Sequence, residues 1–189
     1  MPLLPEWMTP PRAEGWYAED LDLLPEAPKH TELMHGAFVF RHLPEPQWHD
    51  TVLGQVAAAL EDQASKGGRV AREVAVRLDR RNRPEPDLLV TTRAYEEDRT
   101  WFAPEDVQLV VEVVSPESAH RDRTVKLRKY AEAGIPHYWC IEDEGSRPVV
   151  HVYELDGPTR TYVPAGIFRG SLKRPVPFDI SLDLDALTP

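Results

Sequence analysis

Apolar residues recur at helical spacing in one long stretch of the chain and crowd into short runs elsewhere. Val52, Leu53, Val56, Ala57 and Leu60 return every three or four residues, which predicts an amphipathic helix over residues 48–66 closed by Gly67-Gly68. Residues 107–114, VQLVVEVV, are apolar without alternation, the pattern of a central strand covered on both faces. Residues 119–133 read as a second helix with Val125, Leu127, Tyr130 and Ala131 facing inward. Gly134 and Pro136 end it, and a strand follows at 137–142. Strand, helix and strand over 107–142 form a βαβ-like crossover.

Shorter elements flank this unit. A helical turn is expected over 17–24, and Gly36 precedes the strand-like AFVF within the segment 30–42. Val70, Val74, Val76 and Leu78 mark an extended segment. A polar turn at 79–84 then leads into the run 86–90, giving two adjacent strands. Residues 91–104 read as a charged loop. Residues 149–155 and 161–164 alternate like antiparallel strands joined through Asp156-Gly157, and the tail from Pro177 carries Leu182, Leu184 and Leu187. The expected fold is mixed α/β around one sheet.

At 189 residues, 41% hydrophobic and 29% charged, the chain suits one compact domain. Prolines at 2, 5, 10 and 11 make residues 1–16 a proline-rich arm, leaving 17–189 as the domain. The single cysteine, Cys140, rules out an internal disulfide framework and a cysteine-built zinc site. No apolar run approaches the ~20 residues of a membrane span, and the start lacks a leader pattern. A soluble cytoplasmic protein with no membrane partner is expected.

Charge changes the picture locally. The formal net charge is -10, which denies the molecule as a whole an attraction to phosphate backbones. Yet residues 1–65 hold 3 basic and 11 acidic side chains, whereas residues 66–135 hold 14 and 13. One basic cluster runs from Arg69 through Arg77 and Arg81 to Arg83, and a second spans Arg121, Arg123, Lys126, Arg128 and Lys129. Each reads equally as a solvated face or as a phosphate-tracking surface.

Two acids between these clusters are out of place. Asp87 opens an apolar strand and Glu112 interrupts VQLVVEVV. Burying an unpaired charge costs several kcal/mol, so each needs a cation, a proton or a metal. An acid at a strand end can also accept backbone N–H bonds or pair with an arginine. A hard divalent cation shared by both acids is the other remedy, since Mg²⁺ takes oxygen ligands.

Pro86-Asp87, then Glu112-Val113-Val114-Ser115-Pro116, then Asp122, Lys126 and Tyr130, then Gly134-Ile135-Pro136-His137-Tyr138-Trp139 together resemble the Uma-two family of endonucleases within the PD-(D/E)XK superfamily. Glu32-Leu33-Met34-His35-Gly36 is similar to the family's early Glu-Leu-x-x-Gly signature, and Trp48-His49 to its usual histidine position. The resemblance implies a restriction-endonuclease-like core, a central mixed sheet flanked by helices. It implies Asp87, Glu112 and the Val113 carbonyl as ligands of Mg²⁺ or Mn²⁺, and Glu32 as an auxiliary acid. The superfamily places a lysine two residues after the second acid, where this chain has Val114. Lys126 on the next helix is then the matching catalytic residue, with Lys129 as its alternative.

On this reading the chain hydrolyses DNA phosphodiester bonds, with Arg77, Arg81, Arg121 and Arg123 on flanking phosphates and a homodimer as a plausible assembly. Asp122 and Lys126 at i and i+4 have another reading, a solvent-facing ion pair supporting the helix. The competing function is a catalytically inactive module of the same fold that binds nucleic acid or protein. Other chemistry has little in its favour. His30, His35, His42 and His49 lack the tight pairing of zinc ligands. There is no glycine-rich nucleotide loop and no nucleophile elbow around Ser115.

Overall fold

The computed structural model describes residues 5–41, 45–64 and 68–187. Twelve strands occur among them: β1 (Thr31–Met34), β2 (Ala37–Phe40), β3 (Arg69–Arg72), β4 (Ala75–Val76), β5 (Leu88–Thr91), β6 (Trp101–Phe102), β7 (Val107–Val113), β8 (His137–Asp143), β9 (Pro148–Asp156), β10 (Thr161–Phe168), β11 (Ser171–Arg174) and β12 (Ile180–Asp183). The helices are α1 (Gln47–Gln63) and α2 (Leu127–Ala133). A π-helical turn, Arg121–Lys126, leads directly into α2.

Six strands form the main sheet in the order β10-β9-β8-β7-β5-β3. Only β7 and β8 run parallel, because only they are joined through a helix; the remaining neighbours are antiparallel. The mixed sheet and the crossover agree with the expectation from sequence. Alternation along the central strands sorts side chains onto two faces. Leu88, Val90, Leu109, Val111, Val113, Trp139 and Ile141 pack with α1 and the C-terminal β11–β12 ribbon. Leu89, Val110, Tyr138 and Cys140 pack with Tyr130 of α2 on the opposite face. Asp87 and Glu112 fall by the same alternation on the α2 face.

Several expected boundaries shift. The first helix runs Gln47–Gln63 with Ala64 as its C-cap; Lys66 and Gly67 lie outside the described residues, as does His42. The extended segment around Val70–Leu78 is divided, since β3 joins the main sheet while β4 pairs parallel with β6 of the supposed loop. Two residues are too few for a periodic signal. The helix read over 119–133 contains the π-turn, with Tyr130 and Ala131 buried but Val125 and Leu127 only half-buried. The strand read as ending at 164 runs on to Phe168, past a register shift between Pro164 and Gly166.

The β1–β2 hairpin turns at His35 and Gly36, both with positive φ, 54° and 78°, as a two-residue primed hairpin turn requires. It is tied to the 79–84 turn. Leu33 N–H donates to the Arg83 carbonyl at 3.1 Å and Arg83 N–H returns to Leu33 at 2.8 Å, while Gly36 N–H donates to Arg81 at 2.9 Å. A side chain at Gly36 would meet the Arg81 guanidinium at 2.8 Å. This clamp carries Glu32 from the hairpin to the end of β5.

Candidate active site

Four segments bring their polar side chains to one point at the end of the α2 face. β1 delivers Glu32, the residue before β5 delivers Asp87, β7 delivers Glu112, and the π-turn delivers Asp122 and Lys126. With His49 of α1, each of these is at most 3% exposed. Lys126 is therefore not the solvent-facing partner of a surface ion pair. Its Nζ lies 2.8 Å from Glu32 Oε1, 3.0 Å from Glu112 Oε1 and 3.6 Å from Asp122 Oδ1.

Each acid has its own support. Glu32 Oε1 also accepts the Glu85 N–H at 2.9 Å. The Tyr130 hydroxyl donates to Glu112 at 3.0 Å, and the Tyr138 hydroxyl donates to the Asp122 carbonyl at 2.9 Å. Asp87 Oδ2 accepts the Val113 N–H at 2.7 Å and lies 3.4 Å from His49 Nε2, while its Oδ1 lies 3.1 Å from Arg41. Asp87 thus uses the two remedies open to any strand-end acid, a backbone donor and an arginine. Arg41 was not legible as a site residue; a lone arginine after an apolar strand carries no spacing signal.

Burial works against every charge in the cluster, and the neighbours decide the outcome. Burial is the largest influence on Lys126 and disfavours its ammonium, but Glu112, Glu32, Asp122 and Asp87 outweigh it and hold the proton on. Burial likewise opposes the Asp87 carboxylate, yet the His49 hydrogen bond and the Arg41 charge keep its pKa below the ordinary range. Glu112 goes the other way. Burial, helped by Asp122, Asp87 and Glu32, pushes it well above the usual carboxylate range despite Lys126. Burial also raises Asp122, whose Oδ1 makes no hydrogen bond among the described residues. Glu112 and Asp122 are therefore short of positive charge.

That shortage bears on a metal. The donors are carboxylate oxygens, the hard ligands that Mg²⁺ and Mn²⁺ take, and Cys140 is buried in the core rather than lining the cleft. The cleft leaves about 20 Å³ for the centre of a water-sized sphere, room for one water or one small ion. Donor type, charge and size fit a divalent cation. Among the described residues no three His, Cys, Asp or Glu side chains are arranged as a ready-made ligand set; the acids turn onto Lys126 instead.

The basic residues divide. Arg121 lines the cleft, 4.0 Å from Glu32, and its buried Nε has no hydrogen-bond partner among the described residues. Arg123 is committed to Glu142 through two bonds of 2.7 and 2.8 Å. Arg77 pairs with Glu19 at 2.7 Å, and Arg81 donates to the Glu14 and His35 carbonyls at 2.8 and 2.7 Å. Those three do not line the cleft. Lys129, at the helix surface, pairs with Glu132 at 3.0 Å.

The family model for Uma2, described as "Putative restriction endonuclease", matches residues 18–185. The chain belongs to the Uma2 family. A solved structure of similar fold comes from Anabaena variabilis, a putative nuclease belonging to DUF820, with a TM-score of 0.69 at 18% identity over 89% of this chain and 95% of that one. No curated protein matches. Among the described residues, no helix of this Uma2 member is long and apolar enough to cross a membrane.

Proposed function

We propose that this protein is a metal-dependent endonuclease that hydrolyses DNA phosphodiester bonds at the acidic cleft. The carrying observation is Lys126, buried and bonded to Glu32 and Glu112 beside Asp87, an arrangement assembled from four separate segments. A buried ion cluster of this size is weak as a stabilising device, whereas perturbed acids gathered in a cleft are what phosphate chemistry uses. Membership of Uma2 supports the same reading.

Asp87, Glu112 and the Val113 carbonyl would hold Mg²⁺ or Mn²⁺. When bound, the ion supplies positive charge against the scissile phosphate and favours ionisation of an attacking water. The chain's own groups do the rest. Val113 N–H, Arg41 and His49 fix Asp87 in its ionised form, and Tyr130 sets the orientation of Glu112. Lys126, with its proton held firmly, stabilises the charge that grows on the phosphate and is no general base. Arg121 retains guanidinium donors for a neighbouring phosphate.

One observation favours a second reading, an inactive nuclease-fold module: the acids converge on Lys126 and not on a common point of their own. Nicking of supercoiled plasmid by the purified protein separates the two. The nuclease reading expects Mn²⁺-dependent nicking that disappears in Glu112→Gln and Lys126→Ala. Equal background nicking from wild type and variants, with no Mn²⁺ uptake by calorimetry at millimolar metal, supports the module.

A further inference from the structure

Both carboxylate oxygens of Asp87 are engaged. Oδ2 accepts the Val113 N–H at 2.7 Å and faces His49 Nε2 at 3.4 Å, while Oδ1 faces Arg41 Nη2 at 3.1 Å. Val113 N–H belongs to the backbone of β7 and His49 to α1, so Arg41 is the partner with freedom to leave. Its guanidinium lines the acidic cleft. An ion on Oδ1 would stand against that like charge at close range in a buried site, where repulsion is poorly screened.

The structure also shows where the guanidinium can go. Arg41 Nη1 lies 3.6 Å from Glu73 Oε1, and Nη2 donates to the Glu85 carbonyl at 3.1 Å. Glu73 stands in fixed relation to Asp87, because its N–H donates to the Asp87 carbonyl at 3.2 Å. The Glu73 side chain is 39% exposed against 10% for Arg41, and it lies outside the cleft lining. Among the described residues Arg41 is its ion-pair partner. The Glu85 carboxylate is no rival, being bonded to His30 at 2.5 Å. Two carboxylates, one inside the cleft and one at its edge, thus compete for one guanidinium.

We infer that Arg41 is a movable counter-charge: it neutralises Asp87 until a divalent cation binds, then passes to Glu73, pivoting on the Glu85 carbonyl, and so frees Asp87 Oδ1 for the ion. The inference rests on the metal site of the nuclease reading. Arg41 is a positioning residue here, acting through Asp87. Its cost is a population tax: the ion binds only the fraction of molecules in which Arg41 has left Asp87.

Calorimetric titration of Mn²⁺ alone into the purified protein tests this, at about 0.5 M NaCl so that charges not in contact are largely screened. Arg41→Met should bind Mn²⁺ about tenfold more tightly than wild type, the gain expected if the competent fraction is about a tenth. A merely structural role for Arg41 would weaken binding instead. Glu73→Gln, which removes the second seat, should bind about tenfold more weakly. In the double variant the Glu73→Gln effect should vanish, because no guanidinium is left to move. Should Arg41→Met fail to fold, Glu73→Gln alone decides, since it alters a half-exposed side chain outside the cleft.

Unchanged or weaker binding by Arg41→Met, unchanged binding by Glu73→Gln, or additive effects in the double variant overturn the moving arginine. If Mn²⁺ binding is still lost in Asp87→Asn, the metal site survives that result alone. Binding that persists in Asp87→Asn, or no binding by any of the proteins, overturns the metal site and the moving arginine together.

Discussion

Tyr130 donates its hydroxyl to Glu112 Oε1 at 3.0 Å, the same oxygen that Lys126 Nζ reaches at 3.0 Å. Both donors come from the chain that crosses from β7 to β8, so that segment supplies the charge and the orientation of the one acid inside the central strand. Tyr130→Phe keeps the ring and removes only the donor. A hydrogen bond to a charged buried group contributes about 2 kcal/mol, so urea unfolding should show a loss of that order. Unchanged stability would mean the bond contributes nothing in solution.

Lys126→Met leaves Glu32 and Glu112 buried without their shared cation. Breaking a buried pair from one side costs about 3–5 kcal/mol, whereas removing both charges together costs far less. The double variant Lys126→Met with Glu112→Gln should therefore recover part of the loss. A double-mutant cycle by urea denaturation measures the coupling; strictly additive effects would contradict the contact.

Adding Mn²⁺ should raise the unfolding temperature of the wild type, because a ligand that binds only the folded state stabilises it by mass action, about 2.7 kcal/mol at a hundredfold excess over Kd. Asp87→Asn should lose the effect. Differential scanning calorimetry with and without EDTA is sufficient, and an identical shift in both proteins would place the ion elsewhere.

His137, at the start of β8, has its pKa lowered by burial and by Arg174, with Glu154 opposing. The unfolded chain then takes up the proton before the folded one does. Stability that is complete above the unfolded value, roughly 6.5, falls as pH drops through the folded value. His137→Gln should flatten the stability-pH curve in this window, relative to wild type, and leave it parallel above neutrality. Parallel curves throughout would refute the assignment.

Periodicity carried most of the fold. The apolar residues of α1 and the unbroken run of β7 were legible because each is long enough for its pattern to exceed chance. The β4–β6 pair was not, since two residues have no period. Within the site, Glu112 announced itself as a charge inside an apolar run. Lys126 was readable only through likeness to a family, because i and i+4 spacing describes a surface pair equally well. Arg41 gave no sign. Its role comes from the β1–β2 hairpin folding back on the turn at 79–84, a tertiary event with no local signature.

The widened turn Arg121–Lys126 closes its hydrogen bonds five residues apart instead of four. Losing one residue between Asp122 and Lys126 would restore ordinary helical winding and swing the upstream side chains by about 100° relative to α2. Tyr130 would keep its seat while Asp122 rotated out of the cluster. A relative could thus be silenced by a single-codon deletion with every acid and the lysine still in its sequence, so an inventory of motif letters is no substitute for counting the residues between them.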